Sequence, residues 1–172
     1  MNSVRAFIGL GSNLADPVAQ LQRAVTGLEN IDHVTVRRVS SLYRTAPWGE
    51  TEQADFINAV AEIETCLDAE QLLTELIRLE REAGRTRERR WGPRTLDLDL
   101  LLHGDTQNTH AHLQLPHPRM HERAFVLAPL AELVPDLVLG EHGPISDLLA
   151  RVGLEGVQRL TSASDPTVRI AS

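Results

Sequence analysis

The spacing of apolar residues between Val4 and Leu102 runs strand, helix, strand, strand, helix, strand, and that order leaves few folds open. Val4 to Leu10 reads as a first strand, followed by the turn Gly11-Ser12-Asn13. Asp16 caps a helix with Pro17 at its first position, and Val18, Leu21, Val25 and Leu28 keep helical spacing. Val34 to Tyr43, rich in β-branched residues, predicts a second strand, Arg44 to Asp55 a long loop, and Phe56 to Ile63 a third strand. Asp68 caps a second helix, with Leu72, Leu76, Leu79 and Ala83 on one face and Gly84 at its end. A basic loop to Arg94 leads into a fourth strand, Thr95 to Leu102. The expectation is an α+β, ferredoxin-like fold: an antiparallel sheet with a β-α-β-β-α-β core and two helices on one face. Leu113 to Leu115 predicts a short strand, and Ala124 to Leu133 and Ile145 to Val152 predict helices added at the C-terminal side. No repeat or linker divides the chain, so residues 1–161 read as one domain and 162–172 as a loose tail.

Composition narrows the function. A formal net charge of -7 argues against nucleic acid or an anionic membrane as a partner. The first residues lack the cationic, apolar and small-residue order of a secretory leader, and no apolar run is long enough to cross a bilayer. Cys66 stands alone, so no disulfide forms within the chain. These features together predict a cytoplasmic protein. The chain also contains no lysine, so all 17 Lys+Arg residues are arginine. That excludes a P-loop kinase, a protein kinase and a pyridoxal enzyme, each of which needs a lysine. Any phosphate held by a charged side chain here is held by arginine or protonated histidine.

The segment richest in residue types that carry chemistry is Arg85 to Asp99. Asp97 and Asp99 are two apart on a predicted strand and so share a face, while Leu96, Leu98 and Leu100 point to the other. Their bases lie roughly 6–7 Å apart along the strand. From there the carboxylates are able to converge on cations about 3.5–4 Å apart, as in two-metal phosphoryl-transfer sites. On this pattern alone a solvated strand face is as good a reading. Arg85, Arg87, Arg89, Arg90 and Arg94 precede the pair, and clustered guanidiniums beside two carboxylates suit a metal–triphosphate complex. The bland alternatives are ion pairs with Glu80 and Glu82, or an RNA-binding patch, which the net charge and the scarcity of aromatics disfavour. Trp91 either covers a nucleotide or plugs an apolar gap.

Arg85-Thr-Arg and Arg90-Trp-Gly-Pro-Arg-Thr-Leu-Asp-Leu-Asp99 resemble the hallmark of the 6-hydroxymethyl-7,8-dihydropterin pyrophosphokinases. So do Gly9-Leu-Gly-Ser-Asn13, Ser41-Leu-Tyr-Arg-Thr45, Asp55-Phe-Ile-Asn58 and Leu115-Pro-His-Pro-Arg-Met-His-Glu-Arg-Ala-Phe125, in the family's order. The resemblance implies a ferredoxin-like fold and transfer of pyrophosphate from ATP to the hydroxymethyl group of the pterin, giving AMP and the pterin diphosphate, in folate biosynthesis. It implies that Asp97 and Asp99 bind two Mg²⁺ ions and that Arg85 and Arg94 assist transfer while contacting ATP. Glu80, Arg87, Trp91, Leu100, His117 and Arg123 match ATP-site positions, and Arg90, in the same loop, is expected to bind ATP with them. Gly11, Thr45, Ala46, Pro47, Trp48, Phe56, Asn58 and Phe125 match the pterin pocket, with Phe56 and Phe125 sandwiching the flat ring. For these two phenylalanines taken alone, core packing is the better reading. Phe56 stands where the family can carry a Tyr, and His112 where an Arg can reach ATP. The expected partners are ATP and the pterin, with the chain a monomer.

Two other readings compete. A non-catalytic ferredoxin-like module that binds a nucleotide or metal explains the fold, but not a pterin-type pocket beside a carboxylate pair. A nucleotide-sugar transferase with an Asp-x-Asp motif lacks support, since no doubly wound pattern occurs.

Overall fold

A computed structural model describes residues 2–47, 52–84 and 95–160. Strands β1 (Val4–Ser12), β2 (Val34–Val39), β3 (Tyr43–Thr45), β4 (Phe56–Thr65) and β5 (Asp97–His103) alternate with helices α1 (Pro17–Glu29) and α2 (Ala69–Glu82). Then come the hairpin of β6 (Asn108–His110) and β7 (Leu113–Leu115), helices α3 (Ala124–Leu133) and α4 (Ile145–Val152), and strand β8 (Val157–Arg159). The larger sheet has the order β5-β1-β4-β3-β8, with β2 also pairing with β4, and its pairings are antiparallel. The fold is therefore mixed α and β on an antiparallel sheet.

Local chemistry explains where the helices begin. Asp16 accepts a bond from Ala19 N–H at 3.1 Å, with Pro17 just inside α1. Asp68 and Gln71 form a reciprocal capping box at the start of α2. Past α2, Gly84 takes φ 79°, a left-handed conformation that glycine adopts without strain.

The sheet is covered on both faces. Ala6, Ile8 and Leu10 of β1, Ile57, Ala59, Ala61 and Ile63 of β4, and Leu98 and Leu100 of β5 bury against Leu21, Leu28, Leu72 and Leu76 of α1 and α2. On the opposite face Phe7, Val60 and Leu101 pack with Met120 and with Val126, Leu127, Leu130, Ile145 and Leu148 of α3 and α4.

Three expectations from the sequence need adjustment. The predicted strand Val34 to Tyr43 is broken into β2 and β3. At the break the Ser40 hydroxyl accepts from Val60 N–H at 2.9 Å, replacing a ladder carbonyl and ending regular pairing. Arg44 and Thr45, read as loop, belong to β3 because β4 and β8 pair with them on either side. Strands β6 and β8 were not expected. Both are three residues long and mostly exposed, so they carry no apolar alternation.

Two residues in the first turn of α2 differ in what they contribute. Leu72→Ala should destabilise the fold by about 2–5 kcal/mol, because Leu72 is fully buried. Asp68→Ala, which removes an exposed cap, should cost about 1 kcal/mol. Urea unfolding of both variants checks the ranking; equal losses would contradict this account of the core.

Candidate active site

The site begins with register. Gly11 of β1 pairs with Asp97 of β5 on one side and with Asn58 of β4 on the other, so the three lie in one row across the sheet. Neighbouring strands lie about 4.7–4.9 Å apart, which puts the backbones of Asp97 and Asn58 roughly 9–10 Å apart. One step along, Asp99 pairs with Gly9, and Gly9 with Val60. Paired residues share a face. Asp97, Asp99, Asn58, Phe56 and Thr45 therefore project from the face opposite α1 and α2, and the two carboxylates stand beside glycines rather than bulky neighbours.

Gly11 is needed for space. A Cβ there would lie 2.9 Å from the Asn58 Oδ1, closer than such atoms approach. Asn58 is buried, and its Nδ2 donates to the Thr45 Oγ1 at 3.0 Å, itself a buried residue paired with Phe56. The Asn58 amide is thus held over Gly11 by Thr45. Phe56 is half-buried, and so is Phe125, at the start of α3 against the second core. The Arg123 guanidinium lies over the Phe125 ring, 5.7 Å from its centroid. Ala46 is exposed and donates from its N–H to the Gly156 carbonyl at 3.4 Å, and Pro47 follows half-buried.

Behind the carboxylates, Glu80 on α2 is buried, and its Oε1 accepts from Leu98 N–H at 2.8 Å. The bond lands between Asp97 and Asp99 on the outer edge of β5 and ties that strand to α2. Leu100 turns its side chain into the core, so only its backbone is available at the same edge.

His117 follows the cis bond between Leu115 and Pro116 and is anchored by its N–H to the Leu101 carbonyl at 2.9 Å. Its Nδ1 accepts from Arg119 N–H at 3.3 Å, which leaves the ring proton on Nε2. Burial, and then the positive charge of Arg123, lower its pKa from 6.5 to about 4, against the opposing pull of Asp97. The ring is therefore a neutral Nε2 donor near neutral pH. His112 instead bonds both oxygens of Glu70 at 2.8 and 3.0 Å, on the exposed start of α2.

Arg85, Arg87, Arg90, Trp91 and Arg94, with Trp48 of the pocket set, lie outside the described residues. Two residues at the end of β1, Ser12 and Asn13, have roles that their spacing does not disclose. The Ser12 hydroxyl donates to the Thr95 carbonyl at 2.6 Å. The buried Asn13 donates to Gln53 Oε1 at 3.0 Å and to the Ala54 carbonyl at 3.2 Å. The end of β1 thus bonds Thr95, Gln53 and Ala54, and the motif Gly-Ser-Asn is the sequence signal of it.

A family model described as 7,8-dihydro-6-hydroxymethylpterin-pyrophosphokinase matches residues 7–135. The chain belongs to this pyrophosphokinase family. It is 45% identical over 159 residues to a 2-amino-4-hydroxy-6-hydroxymethyldihydropteridine pyrophosphokinase of Pseudomonas aeruginosa, covering 92% of this chain and 98% of that one. It is 50% identical over 133 residues to the enzyme of the same name from Bacillus subtilis, covering 77% of this chain and 79% of that one. In fold it is similar to the wild-type HPPK-DHPS of Plasmodium falciparum, with a TM-score of 0.70 and 13% identity over 92% of this chain. This chain spans 48% of that longer one. As a pyrophosphokinase it is an ATP-dependent diphosphotransferase. The family match ends soon after α3, so α4 and β8 lie beyond it.

Two outcomes test this geometry. The His117 ring should titrate with a midpoint near 4 by NMR. Because its folded pKa is lowered, the unfolded chain binds the proton more readily between about pH 4 and 6.5. The stability it contributes is complete above that window and is lost as pH falls through it; a midpoint near 6.5 would contradict the packing described. Gly11→Ala should displace Asn58 and weaken pterin binding about tenfold, the worth of a hydrogen bond or two. Calorimetry should find ATP affinity nearly unchanged.

Proposed function

We infer that the face carrying Asp97, Asp99, Asn58, Phe56, Thr45 and Phe125 is where this chain performs its family's reaction. That reaction moves the pyrophosphoryl group of ATP onto the hydroxymethyl group of 6-hydroxymethyl-7,8-dihydropterin, in folate biosynthesis. The observation that carries the assignment is the single row Asp97–Gly11–Asn58. It sets Asp97, one of the carboxylate pair, and an amide able to both donate and accept on one surface, with Gly11 between them.

In this reading the pterin ring lies between Phe56 and Phe125, and its mixed donor–acceptor edge meets Asn58, oriented by Thr45. Gly11 leaves room for that edge, and Ala46, Pro47 and Trp48 border the ring. The hydroxymethyl group then points along the row toward Asp97. The donor set suits magnesium: two half-exposed carboxylates of β5 project from one face, with no thiolate among them. Among the described residues no group of three or more His, Cys, Asp and Glu side chains gathers, so such an ion would complete its shell with water and phosphate oxygens. Two Mg²⁺ ions held by Asp97 and Asp99 would supply charge neutralisation at the phosphates when bound.

The chain's own residues do the rest. The edge of β5 at Leu100 and the Glu80 contact behind it form one side of the ATP site. His117 donates from Nε2, and Arg123, Arg87 and Arg90 add positive charge, with Trp91 as an apolar wall. Arg85 and Arg94 stabilise charge that grows on the transferring group. The hydroxymethyl oxygen bonds to the β-phosphorus, the bond from that phosphorus to the α-phosphate oxygen breaks, AMP leaves, and the hydroxyl proton passes to solvent. Positioning and charge carry most of such a transfer, so no protein base is required.

The coarser surroundings follow the same reading. Residues 1–161 form one domain whose core is ferredoxin-like, a reading supported by the run β5-β1-β4 with β2 and β3 beyond it. The chain acts as a cytoplasmic monomer without nucleic acid, supported by its net charge of -7 and its lone Cys66. Among the described residues no helix is long and apolar enough to cross a membrane.

AMP release from ATP should require both Mg²⁺ and the hydroxymethyl-pterin. Asp97→Ala and Asp99→Ala should each lower turnover by about two to four orders of magnitude, with circular dichroism unchanged. Near-normal turnover in either variant would remove the carboxylate pair from the site. Arg85→Ala and Arg94→Ala should slow single-turnover transfer more than they weaken ATP binding. Loss confined to ATP affinity would make these arginines docking residues.

A further inference from the structure

We propose that Glu132 is a positioning residue for the pterin pocket, fixing β3, which carries Thr45, to α3, which carries Phe125. The proposal rests on the pocket reading above.

Phe125 and Glu132 are seven residues apart on α3, hence on one stripe of the helix and about 10 Å apart along it. At the far end of that stripe, Glu132 gathers the approach to β3. Its Oε2 accepts from the Tyr43 hydroxyl at 2.7 Å, and its Oε1 accepts from both the Ser41 N–H and the Ser41 hydroxyl at 2.9 Å. The Arg159 guanidinium of β8 stands 3.5 Å from Oε1 and donates to the Ser41 hydroxyl at 2.9 and 3.1 Å. Bonds to an ionised acceptor are the stronger kind. Tyr43 is buried, and burial followed by the Glu132 carboxylate raises its pKa, so the phenol stays a donor.

From Tyr43 the connection to the pocket is short. Tyr43 pairs with Asn58, and Thr45, two residues on and on the same face, accepts from the Asn58 amide. Strand β3 has only three residues, so its pairing alone defines its tilt poorly. Outside it, β8 completes the clamp: Leu160 N–H bonds the Leu42 carbonyl at 2.8 Å, and Ala46 N–H meets Gly156. One carboxylate thus joins the two walls of the pocket, with Phe125 on one and the Thr45–Asn58 pair on the other. Releasing it lets β3 shift relative to α3, which misplaces the amide that reads the pterin edge. The β5 edge, on the other side of β1, is left alone.

The test compares ligands. In Glu132→Gln and in Tyr43→Phe, the pterin Kd and KM should rise about tenfold. The Kd for Mg-ATP and kcat at saturating pterin should stay within about twofold. Arg159→Lys, which keeps the charge, should restore most of what Arg159→Ala loses. Equal weakening of both ligands, or unchanged pterin affinity, would overturn the proposal; if Glu132→Gln does not fold, Tyr43→Phe decides. Phe125→Ala serves as the reference. If it fails to weaken pterin selectively, the pocket reading itself is wrong. If it does weaken pterin while Tyr43→Phe does not, only the role of Glu132 falls.

Discussion

Gly11 stands between Asp97 and Asn58, and the antiparallel register through it governs everything the site can do. A one-residue slip of β5 against β1 would turn Asp97 and Asp99 into the core and bring Leu98 out onto the face they now occupy. That slip is opposed from behind, where Leu98 and Leu100 bury under α2 and Glu80 bonds the Leu98 N–H. The apolar half of β5 thus holds its acidic half in place. The central glycine is part of the same constraint, because any side chain there would meet the Asn58 amide.

The opposite face explains why the site sits at one end of the sheet. Phe7, Val60 and Leu101 are covered by α3 and α4, while the row at Gly11 lies beyond that cover. The start of α3 therefore borders the site, placing Phe125 and Arg123 at its margin. His117 arrives from the segment between β7 and α3, anchored to β5 through Leu101. Its partial burial keeps the imidazole neutral, so it offers a directed donor rather than an added charge. In a chain without lysine, the positive charge at such a site falls to arginine, whose planar fork suits phosphate oxygens.

Much of this was legible in the sequence, for physical reasons. Asp16, Pro17 and Asp68 mark helix starts through groups that local chain geometry alone brings together. The alternation Leu96 to Leu100 exposes both aspartates on one face whatever the rest of the fold does. Contacts distant in sequence left no such trace. The Ser40 hydroxyl that splits β2 from β3 acts on Val60, and the Glu132 carboxylate reaches back to Ser41 and Tyr43. Only the family resemblance points Glu80 to the ATP site; its bond to Leu98 depends on how α2 packs, which no spacing rule reveals. Strand β8 is too short and too polar to announce itself, although it borders the strand that orients Asn58.

The most direct measurement is a crystal structure of the chain with 6-hydroxymethylpterin, Mg²⁺ and an ATP analogue whose α–β bridge is a methylene. The pterin edge should lie on Asn58 between Phe56 and Phe125, its hydroxymethyl oxygen facing the β-phosphorus, with magnesium bound to Asp97 and Asp99. A pterin seated elsewhere, or a metal–phosphate group touching neither aspartate, would contradict this arrangement.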